Sequence, residues 1–416
     1  MVNLLGGGMI KSLLFILLIS YNLFSMTIEP SASLSPRWYN LQELPIERDQ
    51  SLPSVLKQID ISSLPNLAPT GNLEDFKLAL KRQIDRCKNQ DPETIWIFEN
   101  KRIPRKTWCL KTSQAFLELA NQSKTTSHLW EKAKQLFNWY KSSGNNGTGN
   151  VLYTGYFLPT LYGTRLPDSI NKYPLYKRPK DLVRVKIAGQ YLWKKLNPDG
   201  SYSKYLTRHD IDWNYGLDNK NLEIAYVDDP VAAFFLHIQG SGIVHLKNSS
   251  ERILVNYAAQ NGHPYVAIGK VLKNEGVDKY YYSSLQGLDE YFTENPHEID
   301  RVFPKNPSYV FFQEASTGPY GANGTVLVPG QAIAIDSTKY PYGALALIKT
   351  QQPIITDNEI VNWIDFTRLM TTQDTGGAIK GAGRVDIYWG SGEYAALAAG
   401  YQNHEGELFF AVHPNL

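Results

Sequence analysis

Residues 373–390 read QDTGGAIKGAGRVDIYWG, a glycine-rich segment followed at once by a run of β-branched and aromatic residues. Asp374 stands beside the first glycines, and Asp386 lies inside the apolar run. Glycines in such a segment let a long ligand approach the backbone closely. We therefore interpret the two aspartates as side chains that project into a cleft.

A third aspartate, Asp336, follows the apolar segment 332–335 and precedes a turn at 340–343. One aspartate beside a turn is most often a turn residue, because its side chain bonds to the nearby backbone. Three aspartates in one small β region, two of them within a dozen residues, favour a binding or catalytic cleft instead.

The last hundred residues have the pattern of an all-β domain. Short β-type runs alternate with Gly/Pro turns about every ten residues, which predicts a small barrel. The runs are 325–328, 332–335, 345–348, 385–388 and 408–412.

The segment before residue 150 predicts helices. Apolar residues recur at three- and four-residue steps over 73–87, directly after Asn72, which is a favourable N-cap. A second pattern of this kind covers 127–140 and stops at the glycine-rich loop 144–149. From 151 to 157 the composition changes to that of a β-strand.

The sequence resembles a known family in several separate motifs. The last region resembles the 3D domain, a double-psi β-barrel named for three aspartates that match Asp336, Asp374 and Asp386. The region from about residue 151 resembles the membrane-bound lytic murein transglycosylase A family. The matching stretches are 153–157, 238–242, 257–263, 268–272 and 306–312.

The resemblance implies a mixed, mainly β fold. A double-psi β-barrel domain with N-terminal helices would be split in the sequence by an inserted second β-rich domain, with a groove between the two. The predicted parts are a signal peptide or N-terminal anchor at 1–30, an extended lead-in at 31–71, the first part of the barrel domain at 72–158, the inserted domain at 159–316 and the second part of the barrel at 317–416.

The resemblance also implies an activity, that of a lytic transglycosylase. Such an enzyme cleaves the β-1,4 bond between N-acetylmuramic acid (MurNAc) and N-acetylglucosamine (GlcNAc) in peptidoglycan and leaves 1,6-anhydromuramic acid ends. Asp386 matches the family's catalytic acid. One carboxyl suffices because the substrate's C6 hydroxyl attacks C1, whereas glycosidases that use water need two carboxylates. Val385, Ile387 and Trp389 are apolar neighbours that would keep Asp386 protonated, unless strand alternation turns them away.

Other residues are candidates for supporting roles. Asp374 either binds substrate and orients Asp386, or pairs with Lys380 as a structural brace, while Asp336 is expected to be structural. Four further candidates lie in motifs that would line the groove: Gln239, Ser241, Thr154 and Tyr156. For Gln239 and Ser241 we expect hydrogen bonds to N-acetyl groups, and the alternative is that both only form a turn.

Two other functions remain open at this point. The triplet Asp374-Thr375-Gly376 matches the active-site motif of aspartic proteases, whose two aspartates share a proton. The chain holds no second copy of that triplet, so a protease would require a homodimer. The third reading is a glycan-binding module without catalytic activity.

The N-terminal sequence predicts export to the periplasm or cell envelope. Lys11 precedes the apolar run 12–20, which is typical of a secretory signal and short for a membrane span. Retention as an N-terminal anchor is the alternative. No cysteine lies directly after the run, so a lipid-anchored N-terminus is not expected. The question of membrane association stays open.

Composition limits the partners and cofactors. Lys and Arg exceed Asp and Glu by only two, so no strong field attracts nucleic acid. Cys87 and Cys109 form a disulfide in an exported protein, or remain two buried thiols. No His/Cys cluster has metal-ligand spacing, so we predict no metal and no cofactor. The expected partners are peptidoglycan glycan strands and proteins of cell-wall synthesis or division.

Overall fold

The computed structural model describes residues 55–90, 94–98, 101–187, 190–247 and 249–416. The predicted signal peptide or anchor at 1–30 and the first part of the lead-in lie outside these residues. The helices are α1 (Leu73–Lys88), α2 (Arg105–Asn121), α3 (Thr126–Leu136), α4 (Arg208–Asp212), α5 (Pro230–Gln239), α6 (Ile268–Asn274), α7 (Lys279–Tyr282), α8 (Leu285–Glu294), α9 (Ile299–Val302) and α10 (Glu393–Tyr401).

The strands belong to a barrel sheet, a second large sheet and two smaller ones. They are β1 (Leu56–Ile59), β2 (Ile95–Phe98), β3 (Lys101–Pro104), β4 (Asn138–Ser142), β5 (Val151–Leu158), β6 (Thr160–Thr164), β7 (Tyr173–Tyr176), β8 (Leu182–Ile187), β9 (Gln190–Leu196), β10 (Tyr202–Ser203), β11 (Glu223–Val227), β12 (Ser241–Leu246), β13 (Arg252–Gln260), β14 (Val310–Ala315), β15 (Ala332–Ala334), β16 (Leu345–Thr356), β17 (Glu359–Asp374), β18 (Arg384–Ser391) and β19 (Asn403–Val412).

Six strands close a barrel in the order β5-β19-β16-β17-β15-β18, and β18 returns to pair with β5. The pairs β5–β18 and β15–β17 are parallel, and the other pairs of the ring are antiparallel. Strand β4 pairs with the second half of β19 and carries β1 on its far side. The predicted small barrel is confirmed.

Gly406 allows β19 to pair with two different strands along its length. The first half of β19 pairs with β5 and the second half with β4. At the point of change, a side chain on Gly406 would place its Cβ 2.0 Å from the backbone oxygen of Lys349 in β16. Only glycine permits this close approach of two backbones.

Apolar side chains fill the barrel because alternate residues of each strand point inward. On β5 the inward residues are Val151 and Tyr153, and on β18 they include Val385 and Ile387, all of them buried. The residues between them therefore face out of the barrel, towards the segment 159–316. We refer to that segment as the insert.

Helices α1, α2 and α3 cover the other side of the barrel, where they pack on β16, β17 and β19. Helix α1 begins where the sequence predicts, because the Asn72 side chain accepts hydrogen bonds from the backbone N–H groups of Glu74 and Asp75 at 2.8 and 3.2 Å. The second predicted helix is present as α3, but it ends at Leu136, and Tyr140 lies in β4.

Two expectations for the C-terminal region are wrong. Helix α10 lies where only strands were expected, and its alanine-rich sequence, with four alanines between Glu393 and Tyr401, favours a helix over a strand. Residues 325–328 form no strand, and Val326 is joined to Tyr320 by an isolated β-bridge. Short apolar runs between turns do not distinguish a strand from an irregular segment.

The insert contains a six-stranded sheet in the order β14-β13-β12-β6-β11-β7 and a three-stranded sheet in the order β10-β9-β8. One residue, Pro159, separates β5 of the barrel from β6 of the insert. Helices α4 to α9 also belong to the insert. The exact domain boundaries given above stay predictions. Among the described residues, no helix is both long enough and apolar enough to span a bilayer.

A disulfide joins Cys87 at the end of α1 to Cys109 in α2, with the two Cα atoms 6.0 Å apart. Of the two alternatives for these cysteines, the structure contains the disulfide and not the two buried thiols. The bond lies against the turn before β16, where Gly343 has a φ of +79° and a Cβ would lie 2.3 Å from Cys109 Sγ. Gln83 of α1 donates a hydrogen bond to the Gly343 carbonyl at 3.1 Å. The disulfide thus holds the helices at the barrel.

Replacing both cysteines by serine should lower the free energy of unfolding by about 3 kcal/mol, because the cross-link closes a loop with a sequence separation of 22 residues in the unfolded chain. Urea unfolding of the exported protein with and without the two substitutions measures this difference. Reduction of the unaltered protein should produce a loss of similar size. An equal unfolding free energy in all three samples would contradict the prediction.

Candidate active site

Strands β5 and β18 bring the principal side chains together. In their parallel register Asp386 is the partner of Thr154, and Tyr388 is the partner of Tyr156. Strand alternation directs these four residues away from the barrel core. They therefore form one polar and aromatic surface on the outside of the barrel.

This surface faces a cleft of about 590 Å³ between the barrel and the insert. The barrel contributes β5, β18 and the glycine-rich segment that follows Asp374. The insert contributes the end of α5 together with residues of β12, β13 and β14. The cleft thus has the two-walled form expected of a groove for a long ligand.

Asp386 has one oxygen bound and one free. The Thr154 hydroxyl donates a hydrogen bond to its Oδ1, and Arg384 Nε lies 3.5 Å from the same oxygen. Arg384 Nε also donates to Thr154 Oγ1 at 3.1 Å, which leaves the hydroxyl hydrogen for Asp386. Within the described ranges, no protein group bonds to Oδ2. Burial raises the pKa of Asp386 to about 6, although the positive charge of Arg384 acts in the opposite direction.

Asp374 is bound at both oxygens. Its Oδ1 accepts the backbone N–H groups of Ala322 and Thr375, each at 2.8 Å, and its Oδ2 accepts the Tyr156 hydroxyl at 2.8 Å. Burial raises the pKa of Asp374 to about 6, while these three hydrogen bonds lower it. Burial and the Asp374 charge hold the pKa of Tyr156 well above its ordinary value, so Tyr156 stays a donor. Lys380 is exposed at the cleft and makes no ion pair with Asp374 in the part of the chain that the structure describes, and the roles of both residues stay predictions.

Asp336 lies beneath the glycine-rich segment rather than in the cleft. It is buried, its Oδ1 accepts the backbone N–H and the hydroxyl of Thr338 at 2.9 and 2.7 Å, and its Oδ2 accepts the Gly381 N–H at 2.7 Å. These bonds connect the turn after β15 to the end of the glycine-rich segment. This arrangement favours the structural role expected for Asp336.

Gln239 and Ser241 enter the cleft from the insert. Gln239 ends α5, and Gly240 after it has a φ of +79°, which turns the chain sharply into β12. The Gln239 side-chain oxygen accepts the backbone N–H of Phe157 at 3.0 Å, so this residue also connects the insert to β5. Ser241 opens β12 and lines the same cleft.

Of the two alternatives for the apolar neighbours of Asp386, the structure shows the one in which strand alternation turns them away, and sequence reasoning missed Arg384. Val385, Ile387 and Trp389 belong to the barrel core, because odd and even residues of β18 point to opposite faces. The rings near Asp386 that line the cleft are Tyr156, Tyr265 and Tyr388. Arg384 was detectable, since it precedes Asp386 by two residues in a strand and therefore shares its face.

The carboxyl that acts electrostatically on Asp374 is Asp386 of the same chain, which raises the Asp374 pKa slightly. The protease reading, which needs a second copy of Asp374 from another subunit, gains no support from this arrangement. Among the described residues, no group of three or more His, Cys, Asp and Glu side chains could hold a metal ion. The absence of a metal stays a prediction.

Comparisons with known proteins agree with this geometry. The family model described as the MltA specific insert domain matches residues 152–313, and the 3D domain model matches residues 331–411. The membrane-bound lytic murein transglycosylase A of Vibrio cholerae is 32% identical over 268 residues, which are 64% of this chain and 66% of that protein. Its homolog from Buchnera aphidicola is 30% identical over 269 residues, 64% of this chain and 68% of that protein.

The chain belongs to the membrane-bound lytic murein transglycosylase A family. The Agrobacterium tumefaciens membrane-bound lytic murein transglycosylase has a similar structure, with a TM-score of 0.71 and 26% identity over 86% of this chain and 97% of that chain. Escherichia coli MltA with bound chitohexaose aligns with a TM-score of 0.64 and 25% identity over 87% of this chain and 96% of that chain.

Membership in the lytic murein transglycosylase A family confirms the predicted family, and the similar structures confirm the predicted fold class. The names of the relatives confirm the predicted class of enzyme and describe those proteins as membrane-bound. The roles of individual site residues stay predictions.

Arg384→Gln should raise the pKa of Asp386 above about 6, because the substitution removes the positive charge that stabilises the carboxylate. A carbon-13 NMR titration of labelled aspartates measures this pKa, and the signal absent from Asp386→Asn identifies the residue. Lys380→Gln is the matched control, since it removes a cleft cation that does not touch Asp386 and should leave the pKa unchanged. An unchanged or lower pKa in Arg384→Gln would refute the assigned interaction.

Proposed function

We propose that this chain is a lytic transglycosylase that cleaves the MurNAc–GlcNAc β-1,4 bond of peptidoglycan and leaves 1,6-anhydromuramic acid ends. One observation carries the proposal. The cleft holds two carboxyls with a pKa of about 6, and only Asp386 has an oxygen without a protein partner among the described residues. A single available carboxyl fits a reaction that uses one group as acid and then as base.

In the first half of the proposed reaction, Asp386 delivers its proton to the oxygen that links the two sugars. The bond between C1 of MurNAc and that oxygen breaks, and GlcNAc leaves with the proton. A pKa of about 6 keeps part of the Asp386 population protonated near neutral pH, as this step requires. Asp386 is left as a carboxylate.

In the second half, the C6 hydroxyl of the same MurNAc attacks C1. The C1–O6 bond forms, and the hydroxyl proton passes to the carboxylate of Asp386, which returns to its starting state. No water is consumed, and no second carboxylate is needed as nucleophile or base.

The neighbours of Asp386 suit this exchange of one proton. The Thr154 hydroxyl donates to Oδ1, so the proton is carried by Oδ2 of Asp386, a residue that lines the cleft. The Arg384 charge stabilises the carboxylate that exists between the two steps. Thr154 and Arg384 are thus positioning residues that act through Asp386.

The remaining cleft residues suit the recognition of N-acetylated sugars. Gln239 and Ser241 offer amide and hydroxyl groups for the N-acetyl substituent, and the aromatic ring of Tyr156 lines the cleft together with Asp386. Lys380, exposed at the rim, suits the carboxylates of the stem peptide that muramic acid carries. A related protein, E. coli MltA, has been solved with chitohexaose, an oligomer of N-acetylglucosamine.

We further propose that the chain works in the cell envelope after export directed by residues 1–30. The support is the apolar run 12–20 after Lys11 and the description of the relatives as membrane-bound. Contacts with proteins of cell-wall synthesis or division stay an expectation.

Asp386→Asn should reduce glycan cleavage by more than about 10³-fold, because the amide keeps the shape of the side chain but has no proton to give. Release of soluble fragments from purified peptidoglycan measures the rate. Asp336→Asn, which alters a carboxyl beneath the glycine-rich segment, is the control and should cause a much smaller loss. Near-normal turnover by a folded Asp386→Asn protein would refute the assignment of the acid.

The chemical form of the cleaved ends tests the mechanism independently of any substitution. Digestion in oxygen-18 water should give anhydromuramic ends that are lighter than reducing ends by one water and carry no label at the cleaved bond. Mass spectrometry of the fragments distinguishes the two products. Labelled reducing ends as the main product would make the chain a hydrolase, with Asp374 the first candidate for a second carboxylate.

A further inference from the structure

The insert contains a cavity of about 1150 Å³, larger than the cleft of about 590 Å³ that holds Asp386. Strands β7 and β11 form one wall, helices α4 and α5 form another, and the segment 296–303 closes the side. Barrel residues are absent from its lining within the described part of the chain. The cavity is therefore separate from the groove between barrel and insert, although it is large enough for more than one sugar ring.

Aromatic rings and hydrogen-bonding side chains line the cavity together. The rings include Tyr173, Trp213, Tyr215 and Tyr226. The polar side chains include two amides and three carboxylates that are exposed or half-buried: Asn219, Asn221, Asp218, Glu223 and Asp300. Rings that stack on the apolar faces of a ligand, with amides and carboxylates that bond to hydroxyls around its edge, form the combination that sugars require.

The floor of the cavity is rigid. Arg208 is buried between the rings of Phe234 and Tyr309, at 4.6 and 4.9 Å from their centroids, and donates to Asp212 and to the Ser308 carbonyl at 3.3 and 2.9 Å. This pairing offsets the positive charge of Arg208, so the charged groups at the rim dominate among the described lining residues. A preformed floor lowers the entropy that a ligand loses on binding.

The charges at the rim of the cavity favour one of the two parts of peptidoglycan, the glycan strand, over the other, the stem peptide. Among the described residues that line the rim, three carboxylates, Asp218, Glu223 and Asp300, outnumber the single cation, Lys172. Stem peptides carry more carboxylates than amines, so this negatively charged rim repels them. Neutral N-acetylated sugars are not repelled, because their hydroxyl and amide groups donate hydrogen bonds to the same carboxylates. We propose that the cavity is a second glycan-binding site, which holds a neutral N-acetylglucosamine-containing segment apart from the bond being cut. This proposal rests on the proposed function.

The two sites share one wall. His237 of α5 lines both the cavity and the cleft, and Gln239 at the end of the same helix lies in the cleft. The His237 Nδ1 accepts the Val310 backbone N–H at 3.1 Å, and burial lowers its pKa well below the ordinary value, so the ring is neutral. A glycan strand or a neighbouring strand held in the cavity would therefore lie beside the cleft without a charged barrier between them.

The test uses the full chain carrying Asp386→Asn, so that the ligand is not cut, and titrates it with chitotetraose by calorimetry. We expect two binding sites per chain. Trp213→Ala should weaken one of them about tenfold or more. Tyr215→Asn should act on the same site and cannot disturb the core, because this side chain is 68% exposed and Asn tolerates its φ of +53°.

Controls assign the sites. Gln239→Ala should weaken the other site, the cleft. Tyr202→Ala removes a tyrosine that is also exposed, at 54%, but lines neither space, and it should change nothing. A single site that is indifferent to Trp213→Ala and Tyr215→Asn would overturn the proposal, and so would a cavity that binds a glycan-free stem peptide in place of chitotetraose. The oxygen-18 digest tests the proposed function separately, since anhydro products with one-site binding refute only the second site.

Discussion

The parallel pairing of β5 with β18 is the contact on which the rest of the structure depends. β5 precedes the insert and β18 follows it, so the hydrogen bond between Thr154 and Asp386 joins residues 232 positions apart. Without this pair, the ring of six strands stays open between β18 and β5. Folding must bring both ends of the barrel together around the insert, a long-range contact that costs chain entropy before it stabilises anything.

Hydrogen bonding, and not burial, distinguishes the two carboxyls in the cleft. Both Asp374 and Asp386 have a pKa raised to about 6 by burial. Asp374 fills its oxygens with two backbone N–H groups and the Tyr156 hydroxyl, which fixes its position. Asp386 is held at one oxygen, and its second oxygen has no partner among the residues that the structure describes and is open to a ligand. The same electrostatic environment therefore supports one fixed and one reactive group.

The local pattern of the sequence predicted the barrel and the first helix, because turn glycines, N-caps and apolar periods act over a few residues. The same pattern identified the three aspartates as candidate residues of a cleft. It failed where distant segments meet. The contact between Thr154 and Asp386 depends on strand register across the insert, which no local period encodes. Helix α10 was missed because its alanines fit a short apolar run as well as a helix. The large cavity of the insert arises only from the way its sheet and helices meet.

The single residue between the barrel and the insert has a mechanical consequence. Pro159 has a ring-fixed φ, and its carbonyl accepts the Ile243 N–H at 2.8 Å, so β5 and β6 meet through a stiff joint. The direction of β6 in the insert is therefore fixed relative to that of β5 in the barrel. Thr154, which donates a hydrogen bond to Asp386, and Tyr156, which donates one to Asp374, lie on β5 shortly before this joint. The hydrogen bonds that hold the two carboxyls of the cleft are therefore made from the same strand that continues directly into the insert.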